Sequence, residues 1–137
     1  MVVHGKAEFN PHILSFLILV IINYKLFGMN VKEITQRAYD LFNNGDIETF
    51  FNEIVDDNIT WIFPGDKHPL SGTHKGKQAM MMAMSKIPDL WDNFIVEPEF
   101  MIAEGNKVFT KVNAKADGMD TIFGHYSELN DQGKLIN

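Results

Sequence analysis

The segment Asp56–Gly76, with the sequence DDNITWIFPGDKHPLSGTHKG, decides the fold of this chain. Two acidic residues open a stretch of alternating apolar and polar residues, which is typical of a half-buried strand. Pro64-Gly65 ends that strand, and a glycine-punctuated loop leads to a helix that begins after Gly76. Because two helical segments precede this stretch and a strand-rich half follows it, the order predicts a curved sheet wrapped on a helical layer around an apolar pocket.

Two helices are predicted upstream of this segment. Val31–Asn43 carries apolar residues at helical spacing, and Asn44-Gly45 after it is a stop signal. Asp46 is suited to cap a second, short helix that runs from Ile47 to about Ile54.

One helix and several strands are predicted downstream. The helix covers Lys77–Ile87 and is expected to end at Pro88. The predicted strands are about Phe94–Ile102, Lys107–Ala116, Thr121–Asn130 and a last short piece, Lys134–Asn137. Pro98 indicates an edge position or a bulge in the first of these. The whole pattern predicts an α+β domain in which a cone-shaped, curved antiparallel sheet packs on three helices.

The composition excludes several classes of function. The chain of 137 residues is long enough for one domain with a real core, and a hydrophobic fraction of 45% indicates a globular protein. A net charge of -6 with only 12 scattered Lys and Arg residues argues against nucleic-acid binding. The absence of cysteine excludes disulfides and thiolate metal sites, and the five dispersed histidines predict no metal site.

Residues 1–28 are predicted to be an apolar appendage to a domain that covers residues 29–137. Ile13–Ile22 is almost purely apolar, and no charged residue occurs between Glu8 and Lys25. The block is shorter than the roughly 20 residues of a membrane-spanning helix, and no signal-peptide cleavage site follows it. We therefore expect a cytoplasmic protein, with export or membrane association through Ile13–Ile22 as the alternative.

From about Val31 to Asn137, the chain resembles the SnoaL-like branch of the nuclear-transport-factor-2-like superfamily. The resemblance lies in four pieces that occur in the family's order, namely RAYDLFNNGDIETFF, DDNITWIFPG, SGTHKGKQAM and GHYSELNDQGKLIN. The superfamily includes ketosteroid isomerases, polyketide cyclases, epoxide hydrolases and dehydratases, and also members that only bind or assemble. The resemblance implies a homodimer formed through the open sheet face. It also implies that no cofactor is needed.

Two departures from the family affect the expected chemistry. The resemblance places the two carboxylates of ketosteroid isomerases at about Ile62 and at Gly124, so both are missing from this chain. In the family, the last strand extends beyond the point where this chain ends at Asn137, and polyketide cyclases carry a carboxylate there. We therefore expect a shortened last strand and no isomerisation of the usual ketosteroid type.

His125 and Asp120 are the candidate catalytic residues. The ordinary pKa of histidine, near 6.5, suits acid–base work at neutral pH, and the resemblance implies a polyketide cyclase histidine near His125. The alternative for His125 is a strand residue that faces solvent or a dimer partner. Asp120 precedes the same strand and can orient a histidine or take a proton, although an Asp at this place is also typical of a turn.

The candidate substrate-binding residues are Tyr39, Trp61, Phe63, His68 and Met84. They combine amphipathic or apolar rings, an imidazole at the expected pocket rim and an adaptable thioether, although core packing or a solvated loop also explains each of them. The sequence thus predicts a domain that binds a small hydrophobic molecule in its cone, with cofactor-free isomerisation, cyclisation or dehydration as its chemistry. The alternative is a non-catalytic module for ligand binding or dimerisation.

Overall fold

The computed structural model describes residues 10–18 and 30–137. Residues 11–18 form helix α1, and their side chains are exposed. The rest of the predicted apolar block, residues 19–22, lies outside the described residues. Within the described ranges, no helix is long and apolar enough to cross a membrane.

Helix α2, Val31–Asn43, has the predicted bounds, and Asn30 caps its first turn by accepting a hydrogen bond from the Glu33 amide at 3.0 Å. Its buried face includes Ile34, Ala38, Tyr39 and Leu41. Helix α3, Ile47–Thr49, is capped by Asp46 and continues as a π-helical turn, Phe50–Ile54. The prediction of a second helix over this span is confirmed.

The predicted third helix is two separate helices. Helix α4, Lys77–Met84, ends before the expected boundary, and helix α5, Ile87–Leu90, follows it. Pro88 was expected to end a helix, but it lies in the first turn of α5. A proline is tolerated there because the first amides of a helix have no partner within the helix.

The strands form two antiparallel sheets. Strand β1, Thr60–Phe63, pairs with β2, Gly72–Lys75, which the sequence analysis had treated as a loop. The larger sheet has the order β3–β4–β5, and its strands are Ile95–Glu104, Lys107–Ala116 and Met119–Glu128. Its register shifts between Pro98 and Phe100, so the predicted bulge at Pro98 is confirmed.

The C-terminal residues join the helical layer to the large sheet. Leu135 forms a parallel bridge to Val55 and an antiparallel bridge to Leu129. The Leu135 amide donates to the Ile54 carbonyl at 2.7 Å, and the Asp56 amide donates to the Leu135 carbonyl at 3.0 Å. The end of the chain therefore pairs with β5 only near the C-terminal end of that strand.

Two clusters of buried side chains lie between the helices and the large sheet. The first joins α2 and the π-helical turn to β4 and the C-terminal residues. The second consists of Tyr39, Val96, Val112 and Ala114, with Phe42 and Phe94 packed against it. This arrangement of helices on a curved antiparallel sheet confirms the predicted α+β class.

Candidate functional site

Helix α2 and strand β5 bring Tyr39 and His125 into contact, although the two residues are 86 positions apart in sequence. The Tyr39 hydroxyl lies 2.6 Å from Nδ1 of His125, and the two rings meet edge to face with centroids 5.8 Å apart. Tyr39 is buried on the inner side of α2, and His125 is half-buried on β5. A predicted catalytic residue and a predicted substrate-binding residue thus form one hydrogen-bonded pair.

Burial favours the uncharged form of both members of this pair. It raises the pKa of Tyr39 to about 12, because the phenolate loses its hydration inside the protein. It lowers the pKa of His125 below the usual 6.5, because the imidazolium is penalised in the same way. The pair therefore consists of a neutral phenol and a neutral imidazole, which can exchange hydrogen-bond donor and acceptor roles.

Thr110 is a third polar residue at this site, and the sequence analysis missed it. It is the direct cross-strand partner of His125 in the β4–β5 ladder. Its side chain is fully buried, and it opposes the effect of burial by lowering the pKa of Tyr39. Its Oγ1 nevertheless has no hydrogen-bond partner of good geometry among the described residues. The sequence signal that points to Thr110 is its polar side chain at an inward-facing position of β4. The other inward-facing residues, Val108, Val112 and Ala114, are apolar.

The structure does not bring Asp120 to the Tyr39–His125 pair. Asp120 lies inside β5, not before it, and is exposed opposite Lys115 on β4. Successive strand residues point to opposite faces, so Asp120 faces away from the side that carries His125. Its catalytic role stays a prediction without geometric support. Within residues 10–18 and 30–137, no group of three His, Asp or Glu side chains is placed to hold a metal ion.

Five aromatic rings form a continuous row along one side of the domain. We call this set the aromatic row: Trp61, Phe63, His68, Trp91 and Phe94. His68 stacks on Phe63 at 4.8 Å and on Trp91 at 5.2 Å, between ring centroids. Its Nδ1 accepts a hydrogen bond from the Leu70 amide at 3.1 Å. Three predicted substrate-binding residues, Trp61, Phe63 and His68, thus pack on one another.

An apolar pocket of about 490 Å³ opens where the aromatic row ends. Met84 is the predicted substrate-binding residue that lines it. The other lining residues include Phe42, Phe51, Ile87, Trp91 and Phe94. The polar groups of Ser85 and Asn93 are already bonded, to the Met82 carbonyl at 2.6 Å and to Asp117 at 3.0 Å. The pocket wall is therefore suited to an apolar ligand.

The opposite face of the β3–β5 sheet exposes large apolar side chains. We call this surface the outer face, and its exposed apolar residues are Phe100, Ile102, Phe109, Ile122 and Tyr126. Phe109 lies over Gly124, where an added Cβ would stand 2.8 Å from the ring. The missing side chain at Gly124 thus allows the aromatic ring to lie flat on the sheet.

A family model for the SnoaL-like domain matches residues 35–129. No curated protein matches the sequence. Among solved structures, TerC co-crystallized with polyporic acid is similar at 21% identity and a TM-score of 0.67, covering 77% of this chain and 85% of that one.

Two further structures show the same fold. A proposed polyketide cyclase from Sinorhizobium meliloti has 14% identity and a TM-score of 0.65, covering 76% of this chain and 89% of that chain. A proposed ketosteroid isomerase from Kribbella flavida has 14% identity and a TM-score of 0.65, covering 77% and 72%. The resemblance in the sequence is confirmed, and the chain belongs to the SnoaL-like domain family.

Proposed function

We propose that this domain binds a small hydrophobic molecule and that Tyr39 and His125 perform cofactor-free acid–base chemistry on it. The observation that supports this most strongly is the 2.6 Å contact between the Tyr39 hydroxyl and Nδ1 of His125. A polar pair on an otherwise apolar inner surface is costly to bury, and perturbed titratable groups of this kind concentrate at functional sites.

The contact leaves Nε2 of His125 available for chemistry. If Tyr39 donates to Nδ1, the imidazole proton sits on Nε2, and the Nε2–H group can donate a hydrogen bond to an oxygen of the ligand and polarise its carbonyl group. If Nδ1 carries the proton and donates to the Tyr39 oxygen, Nε2 is a free base that can remove a proton. Isomerisation, cyclisation and dehydration next to a carbonyl group use both functions, removal of an α-proton by a base and hydrogen bonding to the carbonyl oxygen. In the arrangement in which His125 donates, solvent water or hydroxide takes up the α-proton.

The size and lining of the pocket support a hydrophobic ligand. A volume of about 490 Å³ lies within the range of small-molecule sites, and the wall offers aromatic rings and thioethers with its few polar groups already bonded. The similar structures, a complex with polyporic acid, a proposed polyketide cyclase and a proposed ketosteroid isomerase, support the same class of reaction.

A non-catalytic binding module is the second candidate. The observation in its favour is that neither Tyr39 nor His125 is among the residues that line the 490 Å³ pocket. In that case the apolar pocket holds the ligand, and the Tyr39–His125 pair only joins α2 to the sheet.

We also propose that the domain is a homodimer that buries the outer face. Exposed Phe100, Ile102 and Phe109 side chains on one sheet surface form the type of apolar patch that marks an interaction site. The symmetric pairing of two identical sheets covers such a patch on both copies at once.

Exchange of the α-protons of a panel of aryl ketones in deuterated buffer tests the enzymatic proposal. The wild-type chain is expected to accelerate exchange, and His125→Gln is expected to reduce that acceleration by about 10²–10⁴-fold, as is typical for loss of a general acid or base. His12→Gln, which changes an exposed histidine of α1, is the matched control and is expected to behave as wild type.

Binding of the apolar dye 8-anilino-1-naphthalenesulfonate separates the two candidates. If the dye binds equally to wild type and His125→Gln while neither protein accelerates exchange, the domain is a binding module. If exchange depends on His125, the enzymatic proposal stands.

A further inference from the structure

Thr110 presents an unexplained polar atom next to the proposed site. Its side chain is completely buried, and its Oγ1 has no hydrogen-bond partner of good geometry within the described part of the chain. Nearly all buried hydroxyl groups in native proteins are hydrogen-bonded, so one left without a partner calls for a specific explanation. By contrast, the buried Thr35 has the usual arrangement, because its hydroxyl donates to the Val31 carbonyl at 2.7 Å.

The surroundings of Thr110 offer one acceptor that is only partly used. Thr110 is paired with His125 across the β4–β5 ladder, and Tyr39 contacts His125 from the helix above. Thr110 also opposes the rise in the pKa of Tyr39 that burial causes, which is the effect of a hydrogen-bond donor beside the Tyr39 oxygen. A tyrosine oxygen can accept one hydrogen bond while it donates its own proton, and a threonine hydroxyl rotates freely to supply that bond.

We propose that Thr110 is a positioning residue whose hydroxyl donates to the Tyr39 oxygen, so that Tyr39 donates to Nδ1 of His125 and His125 keeps its proton on Nε2. The three groups then form a chain in which each hydrogen bond polarises the next. Hydrogen bonding at one imidazole nitrogen fixes which nitrogen carries the proton, and here it fixes the Nε2–H tautomer.

This inference rests on the proposed function and makes it more specific. In the Nε2–H tautomer, His125 presents a hydrogen-bond donor, not a free base. Its Nε2 makes no hydrogen bond to the described residues. The ligand must therefore offer an acceptor oxygen to His125, such as that of a carbonyl, carboxylate or phenolate group. Between the two arrangements left open above, the fixed tautomer selects the one in which His125 donates.

Long-range ¹H–¹⁵N NMR spectra of the ligand-free full chain test the tautomer directly. Wild-type His125 is expected to carry its proton on Nε2 at neutral pH. Thr110→Val keeps the shape of the side chain but removes its hydroxyl, and it is expected to give a mixture of the two tautomers. Thr110→Ser keeps the hydroxyl and is expected to restore the Nε2–H form. Thr35→Val is the matched control, since it removes a buried threonine hydroxyl away from His125.

A proton on Nδ1 in wild type, or an unchanged tautomer in Thr110→Val, overturns the proposal. Thermal unfolding gives a second test that does not depend on assigned NMR signals. A Thr110 hydroxyl that donates to Tyr39 makes Thr110→Val less stable than wild type, whereas an unpaired hydroxyl makes it more stable. Neither readout needs a ligand. A result against Thr110 therefore leaves the exchange test of His125 intact, and the absence of catalysis leaves the tautomer result intact.

Discussion

On each face of the β3–β5 sheet, one row of side chains departs from the usual pattern of burial. On the inner face, Met101, Thr110 and His125 lie side by side across the three strands. One position further along, Ile102, Phe109 and Tyr126 form the matching row on the outer face. The inner row hides polar groups, and the outer row exposes large apolar ones.

This difference is the basis of the two proposals made for the sheet. A buried polar group and an exposed apolar patch are the two informative departures from ordinary globular proteins. The inner polar groups are costly to bury unless they are hydrogen-bonded, and we assign them to chemistry. The outer apolar groups remain in contact with water unless a partner covers them, and we assign them to dimerisation. Because side chains alternate along a strand, neighbouring rows of one sheet serve both purposes.

The largest effect is expected from placing a charge on the outer face. Phe109→Glu buries two like charges in the proposed dimer and removes an aromatic contact, so the dissociation constant is expected to rise roughly 30-fold or more, on the scale of an interface hot spot. Light scattering over a range of protein concentrations measures it. Ile62→Glu is the matched control, because Ile62 is an equally exposed apolar residue on β1. A wild-type chain that is monomeric throughout contradicts the assignment of the outer face.

A smaller effect is expected from removing one hydroxyl on each face. Tyr39→Phe breaks the buried contact with His125 and is expected to lower the free energy of unfolding by about 1 kcal/mol, because a buried acceptor loses its partner. Tyr126→Phe removes a hydroxyl on the outer face that contacts Glu128 at 3.2 Å. In the Phe109→Glu background, where the proposed dimer is disrupted, this change is expected to leave unfolding unchanged. Urea denaturation compares the two. If both changes lower the free energy of unfolding by the same amount, the buried Tyr39–His125 contact contributes no more to stability than the Tyr126–Glu128 contact.

Much of the fold was predictable because local signals agree with the tertiary structure. The periodicity and stop signals of Val31–Asn43 define α2 without help from packing. Strand β2 was missed because GTHK has no apolar alternation, and only its pairing with β1 makes it a strand. The end of α4 at Met84 does not follow from the sequence, because Pro88 is typical of a helix end, whereas here it lies in the first turn of the next helix.

The candidate site was less predictable because it depends on strand register and on contacts between distant elements. His125 was identified from its chemistry, but its contact with Tyr39 needs the packing of α2 on β5. Thr110 becomes visible only when the β4–β5 register places it opposite His125. Trp91 joins the aromatic row through a stacking contact with His68 that no local pattern indicates. Asp120 is a candidate because it lies near His125 in sequence, but the alternation of side chains along β5 places it on the opposite face.

The rate of α-proton exchange as a function of pH tests the central claim most directly, namely that a neutral His125 held by Tyr39 acts on the ligand. Protonation of His125 places hydrogens on both ring nitrogens, so Tyr39 can no longer donate to Nδ1. The hydrogen bond that orients Nε2 toward the ligand is then lost, and we expect activity to be lost with it. Since burial lowers the pKa of His125, the neutral form persists below pH 6.5, and activity is lost only as the pH falls further. We predict a single midpoint below 6.5 in wild type and no comparable profile in His125→Gln. A midpoint at or above 6.5, or the same profile in both proteins, would contradict the account.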